Sequence, residues 1–161
     1  MSGSDLVADA RRFAGFYAVE SALFVVTGRW IEQFTEPAHR VLAGTWNRYH
    51  AEHLELWAAR FPTIDELPPI EGMVDEPDAD LLATISDPDA VARLVLPRLA
   101  DAYDAFAERV DPRLDGPTAR ILDVVRRDTA AELTDLTLLA PSASDATIDP
   151  ALSATLERVL A

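Results

Sequence analysis

Five ionisable residues stand on the apolar faces of predicted helices, where charged side chains are unusual. They are Glu20, His50, His53, Asp128 and Glu132. A carboxylate buried without a partner is strongly destabilising, so such a group must be protonated, hydrogen-bonded, ion-paired or bound to a metal. Carboxylates and imidazoles act as general acids and bases and also as ligands of divalent metals. We therefore expect these five residues to be the catalytic groups of a buried site.

Glu20 is the most anomalous of them, because it lies in the middle of the most hydrophobic stretch of the sequence, from Phe13 to Gly28. That stretch is short for a membrane span and contains an acid, so it predicts a buried helix and no association with membranes. The alternative to a functional Glu20 is a structural one, hydrogen-bonded to a tyrosine or an arginine.

His50 and His53 are three residues apart, which places both imidazoles on one face of a helix, where they can share one metal ion. Aromatic residues on the same face or on a later helix are expected to contact a small ligand: Trp46, Tyr49, Trp57 and Tyr103. Phe24 and Phe106 are expected to complete this apolar lining. His39 lies outside the face and is expected at the surface.

Asp128 and Glu132 are four residues apart and fall on the inward stripe of another predicted helix. For Asp128 the alternative is an ion pair with a neighbouring arginine. Three acids on the outer face of the preceding helix are expected to be solvated: Asp101, Asp104 and Glu108.

Apolar residues at helical spacing, separated by proline and capping signals, predict four long helices and a short one. The first helix runs from Ser4–Asp5 to about Phe34, and the second starts after Thr35–Glu36–Pro37 and ends at Phe61–Pro62. The third helix runs from Ser86–Asp87–Pro88 to Asp111–Pro112. The fourth helix starts after Asp115–Gly116–Pro117 and ends at about Ala140–Pro141, and the short helix follows Asp149–Pro150. Ser4 is the expected cap of the first helix, and Pro97 is expected to kink the third or delay its start.

The lengths of the connections predict the topology. Short connections make antiparallel hairpins of the first two and the last two long helices. Residues 62–86 join the hairpins, with a helical turn expected at Asp80–Ile85. One long crossover is the ferritin-like arrangement. The sequence thus predicts an all-α, ferritin-like four-helix bundle with one long crossover and a short C-terminal helix, a single domain over residues 1–161, in which residues near the helix midpoints share a level.

One segment resembles a known family. Residues 49–62, YHAEHLELWAARFP, resemble the second-helix stretch of small, actinobacterial-type members of the ferritin-like superfamily. The di-iron members of that superfamily supply a Glu from each of two helices and Glu-x-x-His from each of the other two. By this resemblance Glu20 corresponds to the first-helix Glu, His53 to the His of the second-helix motif, and Glu132 to a Glu of the fourth helix.

Three of the helices depart from that pattern. His50 stands where the second-helix motif has Glu, Asp135 stands where the fourth-helix motif has His, and the third helix offers Tyr103 or no ligand. A full di-iron centre is therefore not expected. The resemblance leaves room for a single non-haem metal ion, held by Glu20, His53 and Glu132 with or without His50, or for no metal at all.

Composition excludes several classes of function. The chain has no cysteine, which rules out disulfides and thiolate metal sites, and its net charge of −14 disfavours binding to nucleic acid. The N-terminus lacks the features of a signal peptide, so a cytoplasmic protein is expected. The first helix also has a second apolar face, which predicts contact with the short C-terminal helix or, as the favoured alternative, a homodimer: Ala18, Ala22 and Val25.

Two hypotheses about function follow. In the first, the protein is a diverged ferritin-like enzyme acting on a small, largely apolar molecule, by redox chemistry at one metal or by metal-free acid–base chemistry. In the metal-free case a histidine, His53 or His50, is the base and a carboxylic acid, Glu20 or Glu132, is the acid. In the alternative, the protein is a non-catalytic ferritin-like binding or structural protein whose buried polar residues form a hydrogen-bond network.

Overall fold

A computed structural model describes residues 3–65, 67–139 and 149–161, and within these ranges it is all-helical, with no strand. Six helices occur in the described ranges: α1 (Gly3–Gln33), α2 (Pro37–Arg60), α3 (Glu76–Leu82), α4 (Pro88–Ala90, Val91–Val95 and Leu96–Ala107 in succession), α5 (Gly116–Leu139) and α6 (Pro150–Val159), with a 3-10 turn at Ile70–Gly72. None of the described helices combines the length and the apolar character that a membrane span needs.

The first two long helices form an antiparallel hairpin. Arg40 Nε donates to the carbonyl of Ile31 at 2.9 Å, and further along Asn47 Nδ2 donates to the carbonyl of Phe24 at 2.6 Å. From Arg40 to Asn47 the residue number rises along α2, while the bonded residue of α1 falls from Ile31 to Phe24. The two helices therefore run in opposite directions. This is the first hairpin expected from the short connection.

The other two long helices, α4 and α5, pack beside the first hairpin so that the four helices surround a common centre. Helix α5 lies antiparallel to α2, since Trp46 bonds to Asp135 and Arg60 bonds to Thr118. Helix α4 packs against both α5 and α1, and its Tyr103 ring lies 4.7 Å from that of Phe16. In this order, α1–α2–α5–α4, each helix is antiparallel to its neighbours, so α2 and α4 are parallel. The connection at residues 61–87 therefore has to return the length of the bundle.

Large aromatic side chains fill the space between the four long helices. Trp30, Trp46, Trp57 and Tyr103 are completely or almost completely buried. Trp30 also donates its indole N–H to the carbonyl of Ser86 at 2.9 Å, which holds the end of the long connection against the C-terminal end of α1. A buried indole needs such a partner, so this bond fixes the position at which α4 begins.

Proline marks an irregularity inside α4. Pro97 has no N–H to donate, and its ring crowds the carbonyl four residues earlier. The backbone accommodates it with a wide, π-helical turn over Val91–Val95, in which the N–H of Leu96 bonds to the carbonyl of Val91. The expected disturbance by Pro97 is thus a local widening within a helix that has already begun.

Some predicted boundaries need correction. Helix α1 already includes Gly3, so Ser4 lies inside the helix and is not its cap. The helical turn expected at Asp80–Ile85 is instead α3, Glu76–Leu82, which starts earlier because Pro77 suits a first helical turn and acidic residues stabilise it. The predicted end of the fourth helix, Ala140–Pro141, lies outside the described residues.

The second apolar face of α1 is covered mostly by the same chain. The segment containing α3 lies along it, and α6 packs so closely that a Cβ on Gly15 would stand 1.9 Å from the carbonyl oxygen of Val159. Arg158 and Thr155 of α6 both bond to Asp78 of α3, which joins the two covering elements. Val25 is still 46 % exposed. The homodimer stays a prediction.

Candidate functional site

Glu20 is the centre of a buried polar cluster. Helix α1 turns it inward with Phe16 and Leu23, and its side chain is completely buried. Three polar groups surround its carboxylate: His50 Nδ1 at 2.5 Å from Oε2, His53 Nδ1 at 2.9 Å from Oε1, and the Tyr103 hydroxyl, which donates to Oε1 at 2.6 Å. The hydrogen bond from a tyrosine, considered as the structural alternative for Glu20, is thus present.

The two histidines connect Glu20 to the acids of α5. The i, i+3 spacing on α2 places both rings in the core, with planes at 87° and centroids 6.2 Å apart. His50 Nε2 lies 3.0 Å from Glu132 Oε2, and His53 Nε2 lies 3.4 Å from Asp128 Oδ2. The five residues expected from sequence therefore form one connected cluster, with Tyr103 added from α4.

Proton counting shows how unusual this cluster is. All four imidazole nitrogens of His50 and His53 lie within hydrogen-bonding distance of a carboxylate oxygen. An ionised carboxylate only accepts, and a neutral imidazole has a single N–H to donate. The contacts are satisfied only when both rings are protonated or when a carboxyl group of the cluster keeps a proton. The cluster thus holds more protons, away from water, than two neutral imidazoles and three ionised carboxylates would carry.

The surroundings favour the charged rings. Burial alone lowers the pKa of His50, but the carboxylates of Glu132 and Glu20 outweigh it and raise this pKa to about 10. Burial lowers the pKa of His53 as well, but the charge of Glu20 and the hydrogen bonds to Glu20 and Asp128 together outweigh it, so this pKa is also raised. Conversely, burial raises the pKa of Glu20, but His53 and His50 more than reverse this, so that Glu20 stays ionised.

Arg127 balances the remaining charge. With both imidazoles protonated, the three carboxylates exceed them by one negative charge, and the guanidinium of Arg127 lies 3.1 Å from Asp128 Oδ1. Asp128 is the most exposed carboxylate of the cluster at 6 %, whereas the Arg127 side chain is 70 % exposed. The arginine pairing considered as the alternative for Asp128 is therefore present, and it marks the edge of the cluster nearest to solvent.

Aromatic groups close the opposite side. Trp57 donates its indole N–H to the Tyr103 hydroxyl at 3.3 Å and stacks on the ring at 5.8 Å. Burial, then the charge of Glu20, raises the pKa of Tyr103 well above its usual range, so the phenol keeps its proton. The chain Trp57–Tyr103–Glu20 orients one carboxylate oxygen, and Trp57 and Tyr103 are thereby placed at the cluster as expected.

The other expected ligand contacts lie elsewhere. Trp46 is buried but bonds to Asp135 at 3.4 Å, and Tyr49 is half-buried with the guanidinium of Arg48 5.4 Å from its ring centre. Phe24 is 37 % exposed on the outer side of α1. Periodicity predicted that these residues lie on α1 and α2 but not how far each is turned from the cluster. Their role in ligand binding stays a prediction.

The residues expected outside the site are outside it. Asp101, Asp104 and Glu108 are exposed, and Asp104 pairs with Arg126. His39 is half-buried against Phe34, with ring centroids 6.0 Å apart, so it is less exposed than expected and belongs to a different part of the fold.

Thr129 is a polar core residue whose role the sequence did not reveal. Its hydroxyl is buried and has no hydrogen-bond partner among the described residues. It lies next to Asp128 and one turn before Glu132 on α5. Buried hydroxyls are nearly always bonded, so Thr129 is an exception within this core. A threonine on an apolar stripe was the only signal, and it is too common to interpret.

The donor set fits a metal ion. Ligand atoms of Glu20, His50 and His53 all lie within 4.8 Å of one another. One carboxylate and two imidazoles suit a first-row divalent ion such as iron, manganese, cobalt or zinc. The set expected from sequence was Glu20, His53 and Glu132; in the structure Glu132 contacts the outer nitrogen of His50, so His50 takes its place in the converging group.

No protein-family model matches this sequence, and neither the curated proteins nor the solved structures contain a match to it.

Proposed function

We propose that the protein is a ferritin-like metalloprotein that binds one first-row divalent metal ion through Glu20, His50 and His53. The single observation that carries the proposal is the position of the Glu20 carboxylate between the Nδ1 atoms of two buried imidazoles. Three donors of the right chemistry meet there, and no lysine or arginine among the described residues contacts Glu20. Glu132 and Asp128, on the outer nitrogens, orient the rings and raise their basicity, as acids behind metal-bound histidines do.

The helix arrangement supports the ferritin-like part of the proposal. Two antiparallel hairpins are joined by one long connection, residues 61–87, which leaves α2 and α4 parallel. A bundle with one long crossover is the ferritin-like topology, and its metal ligands project inward from facing helices. Here Glu20 projects from α1 and the two histidines from α2, near the middle of each helix.

Energetics support a functional reading of the cluster. Buried ion networks are seldom more stable than an apolar core of the same volume, because desolvation of each charge offsets the attraction between charges. Five buried ionisable residues in one cluster are therefore poorly explained by stability alone. Metal binding explains the excess protons, since an ion replaces them on the same donor atoms.

With a redox-active ion, iron or manganese, such a centre supports redox chemistry. When bound, an iron or manganese ion held by two imidazoles and one carboxylate supplies one-electron or dioxygen-dependent chemistry. The residues of the chain hold the donors in place, exclude water through Trp57 and Tyr103, and keep a proton on the Tyr103 hydroxyl next to Glu20. Oxidation of a small apolar molecule is the activity we propose for it.

A second candidate is a structural, metal-free hydrogen-bond network. It is favoured by a specific observation: both nitrogens of His50 and of His53, and the hydroxyl of Tyr103, have protein partners. In this case the cluster fixes the relative positions of four helices without binding any ligand.

Metal content separates the two candidates. The protein is purified without a chelating tag, and iron, manganese, cobalt and zinc are measured per chain in the wild type, in His50→Ala and in His39→Ala. The metal proposal predicts close to one ion per chain in the wild type and in His39→Ala, and a loss in His50→Ala. A wild type that stays metal-free after incubation with each ion supports the structural network. Two irons per chain would instead indicate the full di-iron centre that we do not expect.

A further inference from the structure

A cavity of about 230 Å³ lies on the other face of α1 from Glu20. It is bounded by α1 on one side and by the segment from Ile70 to Ile85 on the other. Its walls are mainly apolar: Ala18, Ala22 and Val25 from α1, with Ile70, Val74 and Leu82 opposite them. At about 30 Å³ for each water-sized group, this volume holds about eight such groups. The space is therefore right for a small apolar molecule.

Small residues create this space. Ala18, Ser21 and Ala22 are all short, and they face the covering segment where longer side chains would fill the gap. The cavity is partly open to solvent, since Val25 in its wall is 46 % exposed. An apolar ligand that covers these walls removes apolar surface from water, which is favourable. The cavity thus has the properties of a binding site for the apolar part of a ligand.

Polar groups stand at the two ends of the cavity. At one end the Tyr17 hydroxyl donates to Glu71 Oε1 at 3.3 Å, so this carboxylate already has a partner. At the other end stands Arg29, twelve residues along α1, or about 18 Å at 1.5 Å per residue. Arg29 is exposed and makes no hydrogen bond or ion pair to any residue that the structure describes. One end of the cavity therefore offers a cation that is unpaired within the described part of the chain.

We infer that this cavity binds a small carboxylate with an unbranched apolar tail, its carboxylate on Arg29 and its tail along Ala22 and Ala18. A guanidinium recognises a carboxylate through two parallel hydrogen bonds, which a lone amine or hydroxyl cannot reproduce. In a chain with a net charge of −14, an anion is attracted only where a cation is locally unpaired, and Arg29 meets that condition. The site is separate from the Glu20 cluster, because the two occupy different faces of α1.

Calorimetric titration of the full-length protein tests the inference, with octanoate, octanol and octylamine as probes. Three variants accompany the wild type: Arg29→Gln removes the cation, Ala22→Phe fills the cavity, and Arg120→Gln removes an exposed arginine of α5 as a control. Thermal unfolding of each variant confirms that it is folded. We expect octanoate to bind the wild type and Arg120→Gln equally, about tenfold more weakly to Arg29→Gln, and not at all to Ala22→Phe.

Octanol separates the contribution of the tail from that of the carboxylate, and it should bind the wild type and Arg29→Gln alike. The inference is overturned if octanoate fails to bind the wild type at millimolar concentration, or binds Arg29→Gln as well as the wild type. It is also overturned if octylamine binds better than octanoate, which would make Glu71 the recognition group. If Ala22→Phe does not fold, the comparison of octanoate with octanol in Arg29→Gln still decides the outcome.

Discussion

His50 Nδ1 and Glu20 Oε2 lie 2.5 Å apart in the core, and at most 1 % of either side chain is exposed. This contact joins α1 to α2 at their middles, and it is the shortest bond within the buried cluster. Since His50 also contacts Glu132 with its other nitrogen, a change at Glu20 affects three helices at once.

Replacing Glu20 should be strongly destabilising. Glu20→Ala removes the acceptor of three donors, those of His50, His53 and Tyr103, and leaves two buried imidazoles without their counter-ion. Loss of one partner of a buried ion pair costs about 3–5 kcal/mol. Urea denaturation should show a loss of that size. As a control, Glu52→Ala removes an exposed partner of Arg48 and should cost about 1 kcal/mol or less. Equal stabilities of the two variants would contradict this view of the cluster.

Tyr103→Phe tests the hydrogen bond without changing the shape of the core. The variant loses the bond to Glu20 and the acceptor of the Trp57 indole N–H. A net loss of about 1–3 kcal/mol is expected, because a bond to a charged group is worth more than a neutral one. Tyr49→Phe, at a half-buried ring outside the cluster, is the matched control and should be nearly neutral. Metal content should persist in Tyr103→Phe, since tyrosine is outside the proposed ligand set.

The packing of α6 on α1 depends on a missing side chain at Gly15. A Cβ there would stand 1.9 Å from the Val159 carbonyl oxygen, so Gly15→Ala must push α6 away. Overpacking of this kind costs about 1–3 kcal/mol. Gly44 is the matched control, because a Cβ there meets nothing within 4 Å. Gly44→Ala should raise the free energy of unfolding by about 0.5–1 kcal/mol, since alanine is more stable than glycine in a helix interior. Hydrogen exchange in α6 should rise in Gly15→Ala but not in Gly44→Ala.

Asp115 should make stability depend on acid pH. Its burial raises its pKa, but the hydroxyl of Thr118 and the guanidinium of Arg60 lower it by more, so the pKa lies below the ordinary value. A carboxylate with a lowered folded pKa stabilises the fold above its unfolded pKa of about 3.9 and loses this effect as the pH falls through the folded pKa. The stability difference between the wild type and Asp115→Asn should be constant near neutral pH and disappear in strong acid. A pH-independent difference would show that the charge is irrelevant.

The sequence predicted the members of the cluster because a charge on an apolar stripe is a clear anomaly. Glu20, His50 and Glu132 were identified in this way, and the structure buries all of them. Periodicity could not predict which imidazole nitrogen contacts which acid, because that depends on side-chain rotamers. It also placed Tyr49 with the cluster, although a residue next to His50 is turned by about 100° around a helix.

The long connection was the harder part of the fold. Its length alone predicted that it crosses the bundle, whereas the position of α3 within it depended on a proline and two acids in a short segment. The cavity beside Arg29 could not be predicted, because it is formed by residues about fifty positions apart in sequence that meet only after the connection has folded back over α1. The second apolar face of α1, for which the sequence predicts a contact, also forms one wall of that cavity: Ala18, Ala22 and Val25.

The most direct test of the central claim is a titration of the metal-free protein with cobalt(II) at neutral pH, followed by visible absorption and by proton release into a weakly buffered solution. We predict saturation at one equivalent, accompanied by release of protons, because the imidazole N–H groups that face Glu20 must give up their protons when the nitrogens bind a metal. His39→Ala should behave as the wild type does, and His53→Ala should not saturate. A linear, unsaturable response, or a wild type indistinguishable from His53→Ala, would contradict the account.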